Sequence, residues 1–122
     1  MQLELFRFGQ NEAPNVASRE EWKTIREFPL YEASTFGRFR RKYDCKIIGG
    51  TVSHNGYLHV GFMKNGKQIT KLSHRIIAET FLAKPSEKHE VVNHKDHNRT
   101  NNRVDNLEWT TRSHNAKHSK LK

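Results

Sequence analysis

A chain of 122 residues holds one compact domain, or a small catalytic unit with an appended module, and its modest core excludes a large multi-domain enzyme. Lysine and arginine number 22 against 13 aspartate and glutamate, and the excess is uneven: residues 1–34 carry four basic and six acidic side chains, residues 35–122 eighteen and seven, the footprint of a phosphate-backbone binder. Cys45 is the only cysteine, which excludes a disulfide framework or multi-cysteine zinc site and fits an intracellular, reducing setting such as a host cytoplasm.

Met1 to Phe8 lacks a basic n-region, a long apolar core and a small-residue cleavage site, so it is not read as a secretory signal. No apolar run approaches bilayer length, and a soluble protein without membrane contact is expected. Gln10 to Ser18 is polar, contains Pro14 and reads as a linker. Short strands are expected between Pro29 and Gly37, where apolar and polar residues alternate, followed by a turn over Asp44 to Gly50. Gly56 to Met63 and Lys67 to Leu72 flank Asn65-Gly66, which predicts a β-hairpin. Ser73 is expected to cap an amphipathic helix over Ser73 to Leu82, with Ile76, Ile77 and Phe81 on its apolar face and Pro85 ending it. A strand over His89 to Asn93, a polar loop over Lys95 to Asn102, a strand over Asn106 to Thr110 and a helix capped by Thr111 complete the chain. Leu107 and Trp109 are expected in the core.

The run VVNHKDHNRTNNRVDNLEWTTRSHNAKH, Val91 to His118, holds residues suited to cutting a phosphodiester. That reaction needs a base to deprotonate water and a divalent cation to stabilise charge on the phosphate and leaving oxygen. His94, at a strand end, has an ordinary pKa of about 6.5 and accepts a proton near neutral pH. Asn93 points to the other side of an extended backbone and can ligate metal. Asn115 and His118 share one face of the final helix, and amide oxygens suit magnesium or manganese better than zinc. Asn106 is placed to hold the loop that presents His94. Asn98, Asn101 and Asn102 read as turn formers, His97 as a loop residue or phosphate contact, and His54, His59 and His89 carry no assigned role. Arg38, Arg40, Arg41 and Lys42 form the densest basic cluster and, with Arg75 at a helix start, are the expected DNA contacts.

The joint pattern, preceded by GYLHVGFMKNGKQITKLSHRIIAETFL, resembles the HNH endonuclease family, specifically the phage and intron-encoded homing-endonuclease branch with its ββα-metal (His-Me finger) core. The resemblance implies that His94 is the general base, Asn93 and Asn115 are metal ligands, Asn106 orients the base, and His118 falls near the last motif position in a secondary role. Branch members commonly carry a glycine where this chain has His97. Residues 21–41, EWKTIREFPLYEASTFGRFRR, resemble the small DNA-contact module often found ahead of such domains.

The expected protein is α+β: residues 1–20 of unassigned role, a β-rich module over 21–52 and an HNH fold over 53–122. It would be a divalent-cation-dependent endonuclease nicking double-stranded DNA as a monomer or weak dimer, in a phage or mobile-element setting. The rivals are a non-cleaving DNA-binding or phage packaging accessory protein of the same fold, and an RNA-binding protein stacking bases on Tyr31, Phe36 and Phe39.

Overall fold

The computed structural model describes residues 19–114. The linker expected over Gln10 to Ser18, and both Asn115 and His118, lie outside the described residues. The chain runs β1 (Trp22–Thr24), β2 (Tyr31–Ser34), β3 (Phe39–Arg41), β4 (Ile47–Ile48), β5 (Thr51–Val52), β6 (Leu58–Lys64), β7 (Lys67–Leu72), α1 (Ser73–Phe81), β8 (Val91–His94), a 3-10 turn (Val104–Asn106) and β9 (Leu107–Thr110). These form an antiparallel β1-β2-β3-β4 sheet, a β5-β6-β7 sheet and a β8-β9 pair. The molecule is α+β, with a β-rich N-terminal module ahead of the helix and the last strand pair.

The predicted hairpin is β6-β7, with Lys64 opposite Lys67. Asn65 and Gly66 both take positive φ, 53° and 77°, which matches the right-handed twist of the flanking strands. The helix also forms, but Ser73 does not cap it. β7 remains paired through Leu72, so the extended Leu72 is the N-cap and Ser73 is already buried in the first turn. At the other end Leu82 is extended at φ −114°, so the helix stops before Pro85 acts. The turn expected over Asp44 to Gly50 is shorter than that: Cys45 turns the chain at φ 61°, and Ile47–Ile48 pair with β3. Thr111 Oγ1 accepts from the His114 amide at 3.1 Å, the capping contact expected of it.

One core joins the first two sheets to the helix and the last strands. Phe62, fully buried on β6, stacks on Phe28 at 4.5 Å and meets the edges of Tyr31 and Phe39 at 5.0 and 5.6 Å. The Tyr31 hydroxyl accepts from the Met63 amide at 3.0 Å. Ile76, Ile77, Ala78 and Phe81 bring the helix into the same cluster as Val92, Val104, Leu107 and Trp109. Tyr31 and Phe39 are thereby buried and cannot serve as base-stacking platforms. Phe36 lies beneath the Arg103 guanidinium, 4.2 Å away.

Candidate active site

The β8-β9 pair sets the site. Its register places Asn93 opposite Glu108 and His94 opposite Leu107, and the chain between the strands is a loop followed by the 3-10 turn. Asp96 is the hub of that loop. Its carboxylate accepts from the Asn98 amide (2.8 Å), Asn101 Nδ2 (2.9 Å) and Asn106 Nδ2 (2.9 Å), and these bonds, Asn101 foremost, hold its pKa below the ordinary carboxylate value. Asn106 uses both ends of its amide: Oδ1 accepts from the Asp96 backbone at 3.2 Å, and Nδ2 also donates to the Asn101 carbonyl at 2.8 Å. The side chain therefore ties down the turn that follows His94. His97 closes that turn, with its amide bonded to the His94 carbonyl at 3.0 Å and φ at 65°. The position does require left-handed backbone, where glycine is strain-free and a histidine is not.

His94 is 5% exposed, at the base of a cleft. Its Nε2 lies 2.7 Å from Asn102 Oδ1, and its ring sits 4.9 Å from that of His74 and 6.1 Å from that of Tyr57. Burial pushes the His94 pKa down, opposed by the Asn102 bond and by Asp96. The ring is thus neutral near pH 7, the state a general base requires. His74, stacked on Tyr57 at 5.2 Å, is pushed down to about 3 by burial first and by the neighbouring His94 second. Asn93 is buried beside His94, and its Nδ2 donates to Glu108 Oε2 at 2.9 Å. With the nitrogen side so engaged, the carbonyl oxygen is the side left to offer a lone pair to a cation or a hydrogen-bond donor.

The cleft, about 410 Å³, is lined by Asn93, His94, Tyr57 and His74 together with the cations Arg75, Arg99 and Arg112. Arg99 lies 4.8 Å over the Tyr57 ring and donates to the Asn55 carbonyl at 2.6 Å. Arg75 donates to the Glu90 carbonyl at 2.6 Å and faces Glu79 at 3.6 Å, and Arg112 pairs with Glu90 at 3.2 Å.

Of the residues singled out in the sequence, Asn93, His94, His97 and Arg75 line this cleft and Asn106 braces it. Arg38, Arg40, Arg41 and Lys42 do not line it. They lie on β3 and the residues on either side of it, where Arg38 pairs with Glu20 (2.7 Å), Arg40 with Glu32 (2.7 Å) and Arg41 with Asp44 (2.6 Å), and Lys42 donates to Thr24 Oγ1 at 2.9 Å. Arg40 also lies 4.1 Å over Trp22. Asn102, Glu108, Tyr57 and Arg99 were not among the expected site residues. Asn102 in particular sits in an asparagine-rich loop where nothing local separates a buried amide from a turn former.

The family model described as HNH endonuclease matches residues 71–117, and that described as the NUMOD4 motif matches residues 20–62. The chain thus carries an HNH endonuclease domain preceded by a NUMOD4 motif. It is 40% identical over 99 residues to an uncharacterized HNH endonuclease, L245, of Acanthamoeba polyphaga mimivirus, covering 81% of this chain and 29% of that protein. It is 34% identical over 97 residues to the DNA endonuclease I-HmuI of Bacillus phage SP01, covering 79% and 55%. A solved structure describing DNA binding and cleavage by the HNH homing endonuclease I-HmuI matches with a TM-score of 0.75 at 32% identity, over 83% of this chain and 58% of that one. The chain thus spans less than two thirds of the length of each of these relatives. The HNH match includes Leu72, His74, Arg75, Asn93, His94, His97, Arg99 and Arg112 of the cleft, whereas Asn55 and Tyr57 fall within the NUMOD4 match.

Proposed function

We propose that this chain is a divalent-metal-dependent DNA endonuclease that hydrolyses one strand of a duplex. The observation that supports it most is the burial of Asn93, His94, Asn102 and Asn106 within one short segment, with a neutral imidazole at the base of a cleft lined by arginines. Burying polar side chains requires hydrogen bonds that replace water, and here those bonds converge on His94 and the turn that follows it. His94 takes the proton from the attacking water. Asn106 fixes the turn after it, and Arg75, Arg99 and Arg112 hold the phosphate backbone, with the β3 cluster of Arg38, Arg40, Arg41 and Lys42 meeting the duplex further along.

Among the described residues no group of three or more His, Cys, Asp or Glu side chains is placed to hold a metal. The donor chemistry present is an amide oxygen, that of Asn93, oriented by Glu108, and this fits a hard cation such as magnesium or manganese. Asn115 is the proposed second ligand. The chemistry supplied by such a cation when bound is stabilisation of charge on the phosphate and the leaving 3′-oxygen. One such centre cuts one strand, so a monomer nicks and a double-strand break needs a dimer or two events.

The test is conversion of supercoiled plasmid to open circles with magnesium or manganese present, with and without chelator, by the parent and by Asn106→Ala. Open circles from the parent alone, abolished by chelator, are the expected result. Gel retardation by both proteins with no scission would favour a DNA-binding protein that has lost cleavage.

A further inference from the structure

The N-terminal module grips the loop that carries Asn102 over three consecutive residues. Val104 donates its amide to the Thr35 carbonyl at 2.9 Å, the Arg103 guanidinium lies 4.2 Å over the Phe36 ring, and Gly37 packs against Asn102 itself. That last contact is so close that a Cβ on Gly37 would lie 2.7 Å from the Asn102 carbonyl oxygen, and the φ of +88° admits little but glycine. Asn102 is 4% exposed, and its side chain spends its one hydrogen bond on His94 Nε2. Its Nδ2 is buried and finds no partner among the described residues. An amide half-unsatisfied in a core costs more than an apolar residue of its size would, so packing does not explain its presence.

We propose that Asn102 is the positioning residue for His94, and that the turn between β2 and β3 is the brace that holds Asn102 in place. An amide oxygen can only accept, so His94 Nε2 must carry the proton and Nδ1 is left with the free lone pair. The base is thereby fixed in a single tautomer and ring orientation before DNA arrives. The N-terminal module then has a second task besides meeting DNA: without it, the acceptor that selects the tautomer is not held. The inference rests on His94 being the base, but its signature is present without DNA or metal.

The test is long-range 1H–15N correlation of the imidazoles in the 15N-labelled full chain, metal-free at neutral pH, with His94 assigned by its loss in His94→Gln. The parent should show a protonated Nε2 and an unprotonated Nδ1. In Asn102→Leu the two nitrogens should move toward an average of both tautomers, and kcat for plasmid nicking should fall about tenfold with KM for DNA unchanged. Asn102→Asp keeps the acceptor and should keep the tautomer. Gly37→Ala should shift the His94 signals in the same sense as Asn102→Leu. A parent ring protonated at Nδ1 would overturn the proposal, as would an unchanged His94 spectrum in Asn102→Leu. An unchanged spectrum in a folded Gly37→Ala protein would overturn the brace. Should Asn102→Leu fail to fold, the parent and Asn102→Asp spectra still decide. A parent with the expected tautomer but no nicking activity would sink the nuclease reading and leave the positioning intact.

Discussion

His74 makes acid stability a sharp probe of how the site is built. The ring is 6% exposed and its Nδ1 finds no hydrogen-bond partner among the described residues, so burial disfavours the charged form and holds the pKa at about 3 against an ordinary 6.5. Between those values the unfolded chain binds a proton that the folded chain does not, so stability falls as the pH drops from about 6.5 toward 3 and is unaffected above that window. At pH 5 this one group removes about 2 kcal/mol relative to pH 7, a large share of a small domain's stability. His74→Phe keeps a ring against Tyr57 and removes the titration. Urea unfolding of parent and variant at pH 7 and pH 5 isolates the effect, because His94 and the carboxylates act in both proteins. The variant should lose about 2 kcal/mol less than the parent between the two pH values. Equal losses in the two proteins would refute the claim that His74 is held neutral by burial.

Three further outcomes follow from named contacts. Glu108→Leu releases the Asn93 amide, and the metal concentration giving half-maximal nicking should rise about tenfold while Glu108→Gln, which retains an acceptor, stays near the parent. Arg99→Ala should weaken duplex binding and lower the slope of log affinity against log salt by about 1, as read from retardation at several salt concentrations. His97→Gly removes a side chain from left-handed backbone and should raise stability by about 0.5–1 kcal/mol in urea titration, since φ there is 65°.

Much of this architecture is written locally. Asn65-Gly66 dictates its hairpin because few residue pairs accept two positive φ values in succession, and the spacing of Ile76, Ile77 and Phe81 commits their segment to a buried helical face. Asn93, His94 and Asn106 are singled out through the resemblance of their run to the HNH family, and the structure places the first two in one cleft and the third on the turn after His94. What stayed hidden depends on contacts between distant segments. Ser73 looked like a cap, but the continuation of β7 through Leu72 is decided by cross-strand pairing with His59. Asn102 looked like its neighbours Asn98 and Asn101, and its burial, its bond to His94 and the approach of Gly37 from the N-terminal module distinguish it. The arginines of β3 read as a free basic cluster, whereas Glu20, Glu32 and Asp44 each hold one of them, two from positions well separated in sequence. The Arg38–Glu20 and Arg41–Asp44 pairs are exposed and contribute little in water, so a DNA phosphate can replace those carboxylates at small cost.

The role given to His94 is tested most directly by single-turnover cleavage of an end-labelled duplex by the parent and His94→Ala, with magnesium or manganese saturating and with or without added imidazole. The cleavage rate of the variant should fall by about 10²–10⁴, recover in part with imidazole, and leave duplex affinity unchanged. A variant that cleaves at the parent rate would show that the water is activated elsewhere.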